Sequence, residues 1–221
     1  MESASWQRPL YGFEISQNQA KMPLKSGFSD GLGGGTYSLI MKDLSRFGNR
    51  YSTRHLFVGV LRIFTNHSFK LTFWWRLASH CKESSNVLCK IAYPLLYVIH
   101  SHNEKLLGIT LPIGTHIGGG LVFPHFSGIV IHGCAIIGEN CTIHQCVTIG
   151  TERRKSGYPQ IGDNCVLGAG AKIIGNVKLG NNVMVGANAV VCKNVPAGAV
   201  VAGIPAKILS LRGEDYVKLR I

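Results

Sequence analysis

The chain has 221 residues, 46% of them hydrophobic and only 15% charged, with 27 glycines. Lys and Arg number 23 against 11 Asp and Glu, a formal net charge of +12. This length supports one sizeable core, or a small helical unit plus a second one, and the basic balance favours anionic partners.

Residues 1–35 are polar and mixed and end in "GLGGGT", which reads as a flexible N-terminal segment with no cleavable leader. Residues 36–107 read as an α-helical domain. Its segments are "YSLIMKDLSRFG", "STRHLFVGVLRIFTNHSFKLTFWWRLASHCK" and "SSNVLCKIAYPLLYVIHSHN", with apolar residues at helical spacing. Trp74 and Trp75 suit core or subunit packing. Arg46, Arg50, Arg54, Arg62, Lys70 and Arg76 make this half basic, which suits a membrane surface or an acidic glycan. No base-reading module is recognisable, so nucleic acid is not an expected partner. No run reaches the ~18 apolar residues of a membrane span. The nearest, Val87–His100, carries Lys90 and Pro94 and reads as a buried or kinked helix, with an interfacial membrane helix as the alternative.

The C-terminal half repeats every six residues. The frame runs through "IGTHIG" at Ile113, "IHGCAI" at Ile131, "IGENCT" at Ile137 and "IHQCVT" at Ile143. It resumes at Ile161 and continues through Leu167, Ile173, Leu179, Val185 and Val191. The first position is aliphatic. The fifth is small or β-branched: Ile117, Ala135, Cys141, Val147, Cys165, Ala171, Val177, Val183, Ala189 and Val195. A period of six matches neither a helix nor a plain strand. It matches a short strand plus a tight turn, three of which close a triangular coil of eighteen residues. Residues 113 to about 202 then give roughly five coils. The frame breaks at 151–160, "TERRKSGYPQ", a polar basic loop thrown from one corner, and 209–221 form a C-terminal tail. The seven Cys show no CxxC spacing, which argues against a zinc ribbon and a full disulfide framework; reduced thiols in a cytoplasmic protein are expected.

"IGENCTIHQCVTIG", "IGDNCVLGAGAKIIGNVKLGNNVMVGANAVV" and "VPAGAVVAGIPAKIL" resemble the hexapeptide-repeat acyltransferases. Within them the chain is similar to the serine acetyltransferase group, and more closely to the branch encoded with exopolysaccharide, capsule or O-antigen genes. "LIMKDLSRFG" and "KLTFWWRLA" carry a weaker likeness to the helical region of that branch. The resemblance implies a left-handed parallel β-helix over 108–208, a homotrimer, acetyl-CoA as co-substrate and an active site between neighbouring copies. It also implies His125, in "FPHFSGIVIHG", as general base. In that family an Asp precedes this His, a second Asp orients it, and a further His lies in the loop. Those positions are Pro124, Thr110 and Tyr158 here. Strict counting of the frame turns His125 inward; a distorted corner at Pro124 would bring it to the rim.

Acetyl transfer to an alcohol needs a base near neutrality, an oxyanion donor and proximity. His125 supplies the first, with Thr110 as a weak orienting group and His144, one coil on, within reach. A turn such as Gly150 offers a backbone N–H for the oxyanion. Arg153, Arg154, Lys155, Lys193 and Lys207 suit the phosphates of CoA, with Arg153 and Arg154 also facing the acceptor beside Pro124 and Tyr158. By resemblance the pantetheine arm would lie where Gly168, Ala169 and Ala187 leave room, although small residues there also suit plain solenoid turns. His116, His132 and His144 fall on outward positions. No metal is expected.

These residues lead to an expectation of a cytoplasmic, homotrimeric O-acetyltransferase acting on a sugar hydroxyl of a bacterial surface polysaccharide (capsular, exopolysaccharide or O-antigen) or its lipid-linked precursor. It could work at the inner face of the membrane through a peripheral contact. The alternatives are a serine O-acetyltransferase of cysteine biosynthesis and a non-catalytic β-helical scaffold.

Overall fold

A computed structural model describes residues 35–47, 65–152 and 157–218. Among the described residues three helices come first: α1 (Thr36–Ser45), α2 (His67–Glu83) and α3 (Val87–Leu107). Residues 52–64 of the second predicted helix, with Arg50, Arg54 and Arg62, lie outside the described residues. Asn66 caps α2 by accepting from the Phe69 N–H, and Asn86 caps α3 by accepting from the Leu88 N–H. α3 ends where Gly108 takes a left-handed conformation, which costs glycine little. It carries Pro94 inside it. One side buries His100, Asn103 and Leu107, while Val87, Leu88, Ile91, Leu95 and Val98 stay exposed on the other. Among the described residues no helix is long and apolar enough to cross a membrane.

Among the described residues fourteen short strands follow: β1 (Ile109–Thr110), β2 (His116–Ile117), β3 (Ile129–Ile131), β4 (Ile136–Ile137), β5 (Thr142–Ile143), β6 (Thr148–Gly150) and β7 (Gln160–Ile161). Then come β8 (Val166–Leu167), β9 (Lys172–Ile174), β10 (Lys178–Leu179), β11 (Met184–Val185), β12 (Val190–Val191), β13 (Val200–Ala202) and β14 (Lys207–Ser210), and a short α4 (Gly213–Lys218). They stack into three sheets. The first face is β1-β3-β6-β9-β12, the second β2-β4-β7-β10, and the third β5-β8-β11-β13, with β14 antiparallel on its end. All other pairings are parallel. This is the three-faced parallel solenoid expected of a left-handed β-helix.

All ten fifth-position residues are buried, including Cys141 and Cys165, and so are the aliphatic first positions from Ile131 to Val191. Each fully buried aliphatic side chain contributes about 1.5–3 kcal/mol, so a single column of them holds the prism together. The turns use left-handed backbone at the fourth position, where Asn140, Asn164, Asn182 and Asn188 have φ between 53° and 59°.

The coils are not uniform, and this corrects the count. Thr148 pairs with Val130 and Val190 with Lys172, both eighteen residues apart. Lys172 pairs with Thr148, twenty-four apart, because the 151–160 loop adds six. Val130 pairs with Thr110, twenty apart. The solenoid therefore completes about four turns rather than five. The two extra residues of the first coil lie between the third and first faces. Val122 bridges to Thr142, and the chain then needs eight residues to reach Val130 where Thr142 needs six to reach Thr148.

A buried ion pair ties the helices to this first coil. Arg76 donates to both Asp43 oxygens, from Nε at 2.6 Å and Nη2 at 3.0 Å, and to the carbonyls of Ile117 and Gly118. Asp43 also accepts from the N–H groups of Gly120 and Leu121. Burial pushes the Asp43 carboxyl above the usual carboxylate range, although Arg76 and the two N–H groups pull it down. Trp75 is buried and donates from its indole to the Pro112 carbonyl, and Arg76 packs over its ring. Arg46 donates to the Asn140 carbonyl and Thr142 Oγ1. Arg76 and Arg46 therefore serve the fold, which corrects their reading as surface charge for a membrane or glycan.

Candidate active site

The two-residue excess of the first coil falls on Phe123–Gly128, the segment that carries His125. Phe123 is buried, and its N–H donates to Ser68 Oγ at the start of α2. The Phe126 ring meets the His67 ring at 5.4 Å between centroids. Held at both ends, the corner bulges outward and exposes His125. The inward position given by strict counting fails for this reason: the insertion takes His125 out of the frame.

His125 lies on the edge between the third and first faces. His144 follows β5 on the same edge, and the two rings stand 6.3 Å apart between centroids. Burial, and then the neighbouring His125, hold the His144 imidazole below its usual range, so it stays neutral to lower pH. The backbone here is unusual. Ser127 and Cys146 have φ of 93° and 59°, the only left-handed residues among those described that are neither Gly nor Asn. The Cys146 N–H donates to the Ser127 carbonyl, and the Gly170 N–H to the Gln145 carbonyl one coil on. Strained residues persist where the surroundings over-determine them, a common feature of functional sites. Gln145 was not anticipated from the sequence. It sits between His144 and Cys146 with its Oε1 buried and unpartnered among the described residues, a feature that only packing reveals.

The same edge continues through Gly168, Ala169 and Ala187 to the turn before Lys207. Ala187 and Lys207 are exposed and Ala169 is half-buried. Gly168 is different. A Cβ there would lie 2.7 Å from the Val185 carbonyl oxygen and 2.8 Å from the Ala187 nitrogen, so coil stacking alone requires the glycine.

Other predicted residues lie on a second edge, between the first and second faces. Gly150 ends β6, and Lys193 is exposed past β12. Tyr158 stacks on His132, with centroids 5.1 Å apart. His132 Nδ1 accepts from the Cys134 N–H, which fixes its role as acceptor. A hydrogen bond with the Cys134 side chain pushes the Tyr158 phenol above its usual range. Arg153, Arg154 and Lys155 lie outside the described residues. Thr110 is exposed on β1 in register with Val130, and Pro124 is half-buried beside His125. Among the described residues no side chain hydrogen-bonds the His125 ring, Thr110 included, and no group of three His, Cys, Asp or Glu could hold a metal. One chain thus presents the two predicted clusters on separate edges.

Residues 158–193 match the family model "Bacterial transferase hexapeptide (six repeats)". The chain is 36% identical to the serine acetyltransferase of Staphylococcus xylosus over 160 residues, 72% of each protein. It spans little more than half the length of the relatives from Synechococcus elongatus and Synechocystis, 56% and 53% of them, at 37% and 42% identity. Among solved structures, soybean serine acetyltransferase complexed with serine matches with a TM-score of 0.64 and 30% identity, covering 79% of this chain and 69% of that one. Brucella abortus serine acetyltransferase in complex with coenzyme A matches at 0.64 and 27%, covering 79% and 67%.

These relatives overturn the expectation of a capsular, exopolysaccharide or O-antigen acceptor. Tyr158 stacks on His132, and Gln160 and Ile161 restart the repeat as β7. With more than a third of residues shared over 72% of a curated relative, the chain belongs to the serine acetyltransferase family.

Proposed function

We propose that this protein transfers acetyl from acetyl-CoA to the hydroxyl of L-serine, with His125 as general base. The observation that carries the reading is the corner insertion, which holds a solvent-facing imidazole on the solenoid edge beside His144. The relatives are named serine acetyltransferase, and the solved structures similar to this chain include one complexed with serine and another with coenzyme A.

Neutral His125 takes the hydroxyl proton as the oxygen attacks the thioester carbon. The tetrahedral adduct collapses, the C–S bond breaks, and the proton on His125 passes to the departing sulfur. Acetyl ester and free CoA thiol result, and no acyl-enzyme is needed. Ala169 and Ala187 leave the edge shallow enough for an extended pantetheine arm, and Lys207 stands at its far end for a phosphate. The edge that carries Gly150, Tyr158 and Lys193 joins the same site from a neighbouring copy in a trimer. Gly150 itself is held in the β6–β9 ladder, in register with Ile174 and accepting from the Gly175 N–H, so its N–H serves the sheet rather than the oxyanion expected of it.

Pro124 and Thr110 stand where the family has Asp, and among the described residues no carboxylate hydrogen-bonds His125. The reading therefore expects slower turnover than a base oriented by an Asp would give. Acetyl-CoA with a panel of hydroxy compounds, followed by mass spectrometry of the products, tests the acceptor. O-acetylserine as the main product supports it. Acetylation of glycans in preference to serine refutes it.

A further inference from the structure

Resting on that reading, we propose that His144 is a second catalytic residue, which donates a hydrogen bond to the same acceptor oxygen that His125 deprotonates. The geometry points to a shared atom. Imidazole ring atoms lie about 1.2 Å from the centroid, so at 6.3 Å between centroids the facing nitrogens are at least about 4 Å apart. That exceeds a direct hydrogen bond of ~2.7–3.2 Å but suits one oxygen bonded to both. A neutral imidazole carries one donor and one acceptor nitrogen, so two neutral rings can treat one hydroxyl oppositely. His125 accepts its proton while the His144 N–H donates to its lone pair. The hydroxyl is then fixed with its O–H aimed at the base, although no carboxylate orients that base.

The surroundings favour a neutral His144. The titratable and charged groups near the pair are His67 from α2, against Phe126, the Cys146 thiol beside it, and the Lys172 ammonium, which is spent on the Cys146 carbonyl. Among the described residues no carboxylate hydrogen-bonds either ring to draw it into the charged form. Burial and His125 both act against charging His144. A protonated His144 would repel the imidazolium that His125 becomes during transfer, so a neutral donor suits the step.

Four proteins test the idea: wild type, His144→Leu, His144→Gln and His125→Ala, each checked for an unchanged thermal midpoint. With L-serine, His144→Leu is expected to lower kcat about tenfold to a hundredfold and leave the KM for acetyl-CoA within about twofold. His144→Gln retains a donor and is expected to recover most of that loss. A merely structural role would lower kcat equally in both variants, and that result overturns the proposal. Proton NMR of the ring provides a readout independent of the acceptor. In His125→Ala, His144 should titrate at higher pH than in wild type yet stay below an ordinary histidine, since burial remains. An unmoved titration overturns the pairing. No O-acetylserine from wild type would sink the serine reading, and the titration would still decide the pairing.

Discussion

Removing the Asp43 carboxylate should destabilise the protein by more than any single truncation of an aliphatic coil residue. Asp43 is 0% exposed and accepts four hydrogen bonds, two from a guanidinium that is itself only 3% exposed. In Asp43→Ala, Arg76 keeps two carbonyl partners but loses its counter-charge, which costs about 3–5 kcal/mol. The N–H groups of Gly120 and Leu121 lose their acceptor as well, at about 1–3 kcal/mol each before water relieves part of it. A loss of about 4 kcal/mol or more is expected in urea unfolding at pH 7, a large share of the ~5–15 kcal/mol typical of whole proteins. The raised Asp43 carboxyl adds a second condition. With its folded pKa above the unfolded value, its contribution is full below the unfolded pKa and is lost as pH rises through the folded one. The ionised pair at neutral pH thus bears a net desolvation cost. Asp43→Leu/Arg76→Met should therefore lose less than Asp43→Ala alone. A loss below about 1 kcal/mol in Asp43→Ala, or additive losses in the double variant, would refute the reasoning.

Gly138→Ala should destabilise by about 1–3 kcal/mol in thermal unfolding, because its Cβ would lie 2.7 Å from the Gly162 carbonyl carbon, whereas Gly150→Ala meets nothing closer than 3.7 Å and should leave the midpoint in place. Stability should fall on acidification through the ordinary histidine range, because the unfolded chain protonates His144 before the folded one does; His144→Leu should flatten that part of a pH–stability curve. Lys207→Ala should raise the KM for acetyl-CoA severalfold, and more at low salt than at high, because an exposed ammonium facing a phosphate is screened.

The solenoid was legible because its pattern is one-dimensional: aliphatic residues such as Ile137 and Ile143 and small ones such as Cys141 and Cys165 recur at fixed spacing, and burial follows spacing directly. The corner at Phe123–Gly128 was not, since a two-residue insertion resets the frame without altering composition. Counting therefore turned His125 inward while the chain turns it out. Arg76 read as surface charge because its partner lies 33 residues away and its other acceptors are backbone carbonyls of the first coil. Gly168 carries a constraint that the repeat pattern hides: the backbone of the next coil lies where a Cβ would go.

Thiol release from acetyl-CoA in the presence of L-serine, compared between wild type and His125→Ala, bears most directly on this account. Serine-dependent release in the wild type, lowered about 10²–10⁴-fold in a normally folded His125→Ala, is the outcome it predicts. Equal rates in the two proteins would show that the exposed corner imidazole is not the base.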